Sequence, residues 1–432
     1  MLQQEPTSRR TFLRRGTTVG TSAIAGFSVL RHGYGANYDR IRIGLVGCGG
    51  RGTAAVRDAV SAAPNVELVA MADIHRTQIE KSIEQLKTYK TQDKKPLSGI
   101  NITPDRCFTG LNAYKQVIDS GIDYVLLCTP PGFRPDHIEY AVQKGIHIFA
   151  EKPCATDPQG IRRILNLIPE IKRKGIGLLA GFNNRHVFHF QDAVKRVQDG
   201  HIGEVRSLHS YYNTGNIWYR DKVPGMSEPE YWFYNWYHVD WLGGDHIVEQ
   251  HVHNLDRSNW FMDTHPVKAY GMGGRQYHTD RGGNTYDHFT VEYEYPGGIR
   301  MTSMCRQVAG TDMLTGVYIV GTKGTMTMLS GRGTEITGPK AAVLKAQAHQ
   351  QRAHMQEHID FITALREGKI TNDTRILCEG SMTAILGRES AYTGKVITWD
   401  EMMKSDLQLT PKNIAAWDGT IRPVPKPGMK RG

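Results

Sequence analysis

From residue 40 the chain alternates short, almost wholly apolar runs with stretches whose apolar residues recur every three or four positions. The runs are IRIGLVG, VELVAMAD, DYVLLCTP, IHIFAEKP and IGLLAGF, with FRPDHIEYAVQKG and DPQGIRRILNLIPEIKRKG among the stretches between them. Strands apolar on both faces and joined by helical crossovers predict a parallel sheet covered on either side. Residues 91–105, TQDKKPLSGINITPD, read as a polar surface insertion between two such units. Near residue 200 the pattern changes to longer strands, GEVRSLHSYY, HPVKAYGM, DHFTVEYEYPGGIRMTSMCRQV and VYIVGTKGTMTM, with hairpin turns such as YPGG. Two late helical segments, AHMQEHIDFITALREG and TRILCEGSMTAILGRESAYTG, complete a second unit. The predicted class is therefore α/β plus α+β. The boundaries expected are 37–185 for the first domain, 186–420 for the second, and an extended Pro-rich tail over 421–432.

Residues 1–36 stand apart. SRRTFLRRG precedes GTTVGTSAIAGFSVL, too short and too rich in Gly, Thr and Ser to span a bilayer. The order of residues reads as a twin-arginine export signal, which implies the export machinery as a partner and a periplasmic or otherwise exported destination. No later stretch is apolar enough to predict stable membrane insertion. The net charge of +10 is concentrated at the ends: residues 1–36 and the last eleven residues each carry +4, leaving +2 for the body. That distribution argues against nucleic acid as a partner. Cys48, Cys107, Cys128, Cys154, Cys305 and Cys378 show no paired spacing and read as small buried side chains.

The first strand runs into GCGGRG, placing Gly47, Gly49 and Gly52 in the spacing GxGxxG at the opening of a helix. The first glycine permits the turn, the second lets backbone approach a pyrophosphate, and the third lets helix and strand pack closely. Gly50 and Arg51 belong to the same turn. Asp73 closes the next strand 21 residues beyond Gly52, where a carboxylate can accept from both ribose hydroxyls and repel a 2′-phosphate. A Rossmann domain that favours NAD over NADP follows, with His75 and Arg76 near enough to soften the preference.

Two further stretches carry candidate chemistry. AEKPCA puts Glu151 and Lys152 at a carboxyl end of the parallel sheet, where ligands of such sheets bind. A lysine there can donate to a substrate oxygen and favour a developing alkoxide. In GGDHIVEQHVHNLDRSNWF, read as one helix, Glu249, His253 and Asp256 share a face at i, i+4 and i+7. His253 is then a candidate general base with a carboxylate one turn away. The stretch alone equally suits a helix laying polar residues against an interdomain cleft. A metal site is not expected, because His251 and His253 are two apart and point in different directions. The aromatic segment 218–241 offers Trp218, Tyr219, Trp236 and His238 for stacking on sugar rings. It equally suits a loop with its own small core, or a subunit contact.

Together these residues resemble the Gfo/Idh/MocA oxidoreductases, named for glucose–fructose oxidoreductase, inositol 2-dehydrogenase and a rhizopine-catabolism protein. The resemblance rests on GxGxxG with Asp73, CTPPGFRPDH, Glu151-Lys152-Pro153, GFNNRH and the acidic-xxx-His-xx-Asp stretch, and runs from about residue 40 onward. It implies a Rossmann domain joined to a domain with a large, mostly antiparallel open sheet, and hydride transfer between NAD(P) and a hydroxyl carbon of a sugar or cyclitol. It also implies Lys152 as the active-site lysine, His253 as the proton-transferring histidine and Glu249 in place of the usual aspartate. Arg185 would then lie near nicotinamide and substrate, and Thr129, Pro130 and His137 would border the cofactor. Three departures, Glu249 for Asp, Asn184 for a frequent Arg and His251 for a frequent Gly, mean that the substrate of inositol dehydrogenase cannot be borrowed.

Three readings follow. The first is an exported NAD-dependent oxidoreductase acting on a sugar, sugar derivative or polyol, with its NAD tightly bound and internally recycled. The second is a glycoside-cleaving enzyme working by transient oxidation and elimination. It needs a further acid or base, for which Tyr219, Tyr237, His238 and His251 are candidates. The third, a non-catalytic NAD-binding protein, is disfavoured because the lysine and the histidine are both present. A broad sheet with one face uncovered by helices further predicts a homodimer or homotetramer.

Overall fold

The computed structural model describes residues 38–91 and 93–429; the candidate export signal and the last three residues lie outside them. Six parallel strands form the first sheet: β1 (Ile41–Val46), β2 (Val66–Asp73), β3 (Cys107–Thr109), β4 (Tyr124–Leu127), β5 (His147–Ala150) and β6 (Leu178–Ala180). Their spatial order is β3-β2-β1-β4-β5-β6, so the order reverses at β1, the topological switch point at which such sheets bind ligands. The helices around it are α1 (Gly50–Ala62), α2 (Arg76–Thr88), α3 (Ala113–Asp119), α4 (Arg134–Lys144), α5 (Pro158–Leu165) and α6 (Ile168–Lys174). The 157–175 stretch divides into α5 and α6 because Pro169 lacks the amide that would continue the helical ladder. The described residues of 91–105 are largely surface loop as expected, although Leu68 bridges to Ile100.

The second sheet has nine strands in the order β14-β13-β12-β11-β7-β10-β9-β8-β15. They are β7 (Val205–Thr214), β8 (Lys268–Gly274), β9 (His288–Glu294), β10 (Arg300–Gln307), β11 (Leu314–Gly321), β12 (Thr325–Leu329), β13 (Gly333–Ile336), β14 (Ala342–Leu344) and β15 (Val396–Thr398). All neighbours are antiparallel except β7 and β10. One face is covered by helices that include α11 (Val252–Met262) and α13 (Thr374–Thr393). The remaining helices are α7 (Phe188–Gln198), α8 (Glu228–Tyr234), α9 (Asp240–Gly243), α10 (His246–Glu249), α12 (Ala353–Arg366) and α14 (Trp399–Lys404). No helix among the described residues is long and apolar enough to cross a membrane.

The boundary expected at residue 185 does not separate two independent cores. α12, from the C-terminal half, packs on α1, and Phe361, Ile362 and Leu365 share one apolar cluster with Ile41, Leu45 and Val56. The first domain thus borrows a helix whose sequence position lies far outside it. The C-terminal tail is not free either: Arg422 donates to the Leu409 carbonyl, and the Tyr286 hydroxyl donates to that of Pro425.

Candidate active site

The three glycines of the turn do three different jobs. Gly47 has φ +96°, and a Cβ there would stand 2.7 Å from the Cys128 carbonyl carbon. A Cβ on Gly52 would fall 1.9 Å from the Gly47 oxygen, so only glycine lets α1 sit on its strand. At Gly49 and Gly50 a Cβ would meet nothing within 4 Å; these two face an open cleft of about 430 Å³. That is where a pyrophosphate fits, beside the first amides of α1. Asp73, Thr129, Pro130 and His137 line the same cleft. The Asp73 carboxylate accepts from the Cys48 amide at 2.7 Å and the His75 amide at 2.9 Å, which fixes it at the mouth of the turn. Burial raises its pKa, which those amide bonds oppose. His137 is neutral, driven to about 3 by burial and then by Arg134. It stacks near Tyr114 and lies 3.2 Å from the Thr129 hydroxyl.

Another wall of this cleft is built by the C-terminal half. Trp218, Arg220, Phe233, Tyr234 and Trp236 line it. The aromatic segment therefore covers the dinucleotide cleft more than it forms a sugar platform. Of the four candidates for sugar contact, Trp218 and Trp236 reach a cavity and two do not. The Tyr219 hydroxyl is tied to the Gly282 amide and the Tyr231 hydroxyl. His238 is buried with Nε2 2.8 Å from the Trp218 carbonyl oxygen.

A second cavity, of about 280 Å³, shares Arg51, Cys128, Thr129 and Trp236 with the first. Lys152, Glu151, Glu249 and His253 border it. The predicted single helix through Glu249 and His253 is broken in two. The His253 amide bonds to the Gln250 carbonyl and leaves the Glu249 carbonyl outside the ladder. Lys152 Nζ takes that carbonyl at 2.7 Å and the Glu249 carboxylate at 3.0 Å. Two of the three ammonium donors are thus spent on one residue, and the third is left for a ligand.

His253 is half-buried, and its Nδ1 is buried with no protein partner among the described residues. Burial, then the charge of Lys152, push its pKa well below that of an ordinary histidine, so the ring is neutral at neutral pH. The carboxylate expected to orient it is engaged elsewhere. Asp256 receives both ends of the Arg185 guanidinium at 2.8–3.2 Å, and Arg185 lies over Trp260. Neither Arg185, expected near nicotinamide and substrate, nor Asp256 is among the residues that line the cavity. Instead, the edge of Phe182 packs against the His253 ring.

Arg51 ties the glycine turn to this cavity. It pairs with Glu151 and Glu357, and lies 3.6 Å from Asp58. Burial pushes Glu151 up, but the charges of Arg51 and Lys152 prevail and hold it at about 2. Burial keeps Glu357 well above the carboxylate range in spite of Arg51. The sequence pointed to Glu151 but not to Glu357, 306 residues from Arg51. It also missed His354 and Tyr212, which line the cavity from α12 and β7. Of the extra acids and bases considered, Tyr237 is buried on Gln307 and His251 on Ser303, and neither borders the cavity.

A family model described as an oxidoreductase family with an NAD-binding Rossmann fold matches residues 41–175, and a model of the corresponding C-terminal domain matches residues 190–327. The chain belongs to the Gfo/Idh/MocA family. Among curated Gfo/Idh/MocA relatives, the inositol 2-dehydrogenase of Rhizobium meliloti is 31% identical over 39% of this chain, a match spanning 44% of that protein's length. The inositol 2-dehydrogenase of Rubrobacter xylanophilus is 22% identical over 67% of this chain and 71% of its own length. The aldose-aldose oxidoreductase of Caulobacter crescentus shares the fold, with a TM-score of 0.63 at 16% identity over 83% of this chain and 99% of its own.

Proposed function

We propose that this protein oxidises a hydroxyl carbon of a sugar, sugar derivative or polyol by passing its hydride to NAD that stays bound. A second, carbonyl-bearing sugar then takes up this hydride and a proton and so restores the NAD in place. The observation that carries the reading is that Lys152 and His253 border a cavity that shares four lining residues with the dinucleotide cleft. NAD, when bound there, supplies the hydride acceptor. Gly49, Gly50, Asp73, Thr129 and His137 would hold it. Lys152 holds the substrate hydroxyl oxygen and stabilises negative charge developing on it. His253 takes the hydroxyl proton, and its burial keeps it free of a proton beforehand. Glu249 anchors the lysine.

Restoration of NAD in place fits an export route for folded protein, read from SRRTFLRRG, because a periplasmic enzyme has no pool of free nucleotide to draw on. It also fits the likeness to an enzyme named for acting between two aldoses. His354 favours a second reading, cleavage of a glycoside through transient oxidation. That reaction needs an additional base for the C–H bond beside the oxidised carbon, and His354 borders the same cavity. Release of an alcohol from an aryl glycoside without net reduced nucleotide would distinguish it.

The test is turnover on a panel of sugars and polyols with Lys152→Ala and His253→Ala. Each is expected to lower kcat by about a hundredfold or more while bound nucleotide is unchanged. Near-native activity in either variant would remove that residue from the chemistry.

A further inference from the structure

The segment between β7 and α9 supplies a cation that pairs with no acid among the described residues. Arg220 lines the same long cleft as the glycine turn. Its guanidinium lies between two aromatic faces, 3.8 Å from the ring centre of Trp218 and 4.5 Å from that of Tyr234. Its backbone is clamped by the fully buried Asn235, which accepts from the Arg220 amide at 3.0 Å and donates to its carbonyl at 2.9 Å. One guanidinium nitrogen donates to the Tyr234 carbonyl. Among the described residues no carboxylate forms an ion pair with it, and burial disfavours its charge.

A guanidinium whose flat faces are covered can still offer donors in its own plane, and that geometry suits phosphate oxygens. Gly49, Gly50 and Arg51, at the uncapped start of α1, line the same cleft, and the first amides of a helix favour a phosphate there. We propose that Arg220 is a phosphate-binding residue for the dinucleotide, engaging the pyrophosphate together with the glycine turn. The C-terminal half thereby completes the cofactor site. This rests on the reading of the cleft as a dinucleotide site. The pyrophosphate is favoured over a 2′-phosphate because the Asp73 carboxylate at the ribose position repels a second anion. The cation is also pre-placed. Trp232 and Trp241, from the same segment, share an apolar cluster with Phe133 of the first domain and with Leu409 and Trp417 near the C-terminal end. Little ordering remains to be done when the phosphate arrives.

The experiment uses full-length protein stripped of nucleotide with charcoal and titrated by calorimetry with ADP-ribose, adenosine, NAD and NADP. Arg220→Met keeps the stem between the rings and removes the charge. It is expected to weaken ADP-ribose by about ten- to a hundredfold, the scale of losing a charge-assisted hydrogen bond, and to leave adenosine unchanged. NAD and NADP are expected to weaken together. Arg220→Lys, which keeps a cation without the planar fork, is expected to retain part of the ADP-ribose affinity. Unchanged ADP-ribose binding in Arg220→Met would overturn the proposal, as would an equal loss for adenosine or a loss confined to NADP. Wild-type protein that binds adenosine but gains nothing from the pyrophosphate would overturn it too, while binding of neither compound would remove the dinucleotide reading beneath it.

Discussion

Lys152 and His253 border one cavity and are held there differently. The lysine spends two donors on Glu249, and desolvation together with the charge of that lysine keeps the His253 ring neutral. A lowered histidine pKa means that the neutral base survives to lower pH. The acid limb of kcat/KM is therefore expected well below 6.5, the ordinary histidine value, and a limb centred at 6.5 would show that the base is more exposed than the fold places it. Asp73 has two duties, holding the turn through the Cys48 and His75 amides and facing the ribose. Asp73→Asn keeps an acceptor and removes the charge, so the preference for NAD over NADP is expected to narrow with little loss of fold. Unchanged discrimination in a binding titration would move the ribose contact to His75 or Arg76.

At the scale of elements, the legible parts were those fixed by local spacing. GxGxxG announced its turn because Gly47 and Gly52 each answer a contact within a few residues or on the adjoining strand, while Gly49 borders the open cleft. Gly52→Ala is accordingly expected to cost about 1–3 kcal/mol or more through overpacking against the Gly47 oxygen, and to reduce bound nucleotide. Thermal unfolding and nucleotide content measure the two effects, and a variant unchanged in both would contradict the contact. The spacing of Glu249, His253 and Asp256 was legible too, but not the break between α10 and α11. That break depends on an ammonium group 97 residues away competing for one helical carbonyl. Periodicity records which face a residue takes and not which hydrogen bond it loses. The same limit hid Arg185, whose motif suggested substrate and whose guanidinium is consumed by Asp256.

At the scale of the molecule, the two sheets and their order of appearance were readable from strand pattern, whereas the crossing of α12 back to the first domain was not. Nothing local to AHMQEHIDFITALREG says that Phe361 will meet a core begun at Ile41. The solvent face of the nine-stranded sheet carries large apolar side chains among polar ones: Tyr270 stands in register with Glu292, Thr302 and His209, and Met272 with Thr290, Met304 and Tyr211. Met272 is 63% exposed and Tyr270 52%, an unusual surface for a lone subunit. Light scattering at micromolar concentration is expected to give a dimer or tetramer, and the double variant Met272→Lys, Met304→Lys is expected to shift it toward monomer. A monomeric wild type would remove this use of the face.

The enclosure of the dinucleotide cleft by the aromatic segment, clamped by the tail, bears on the central claim that NAD is carried and restored rather than exchanged. The most direct measurement is the nucleotide content of purified, exhaustively dialysed protein, read by chromatography after acid release and paired with turnover in buffer containing none. The account expects about one NAD per chain and undiminished turnover without addition. Protein that emerges empty, binds NAD weakly and needs a continuous supply would contradict it.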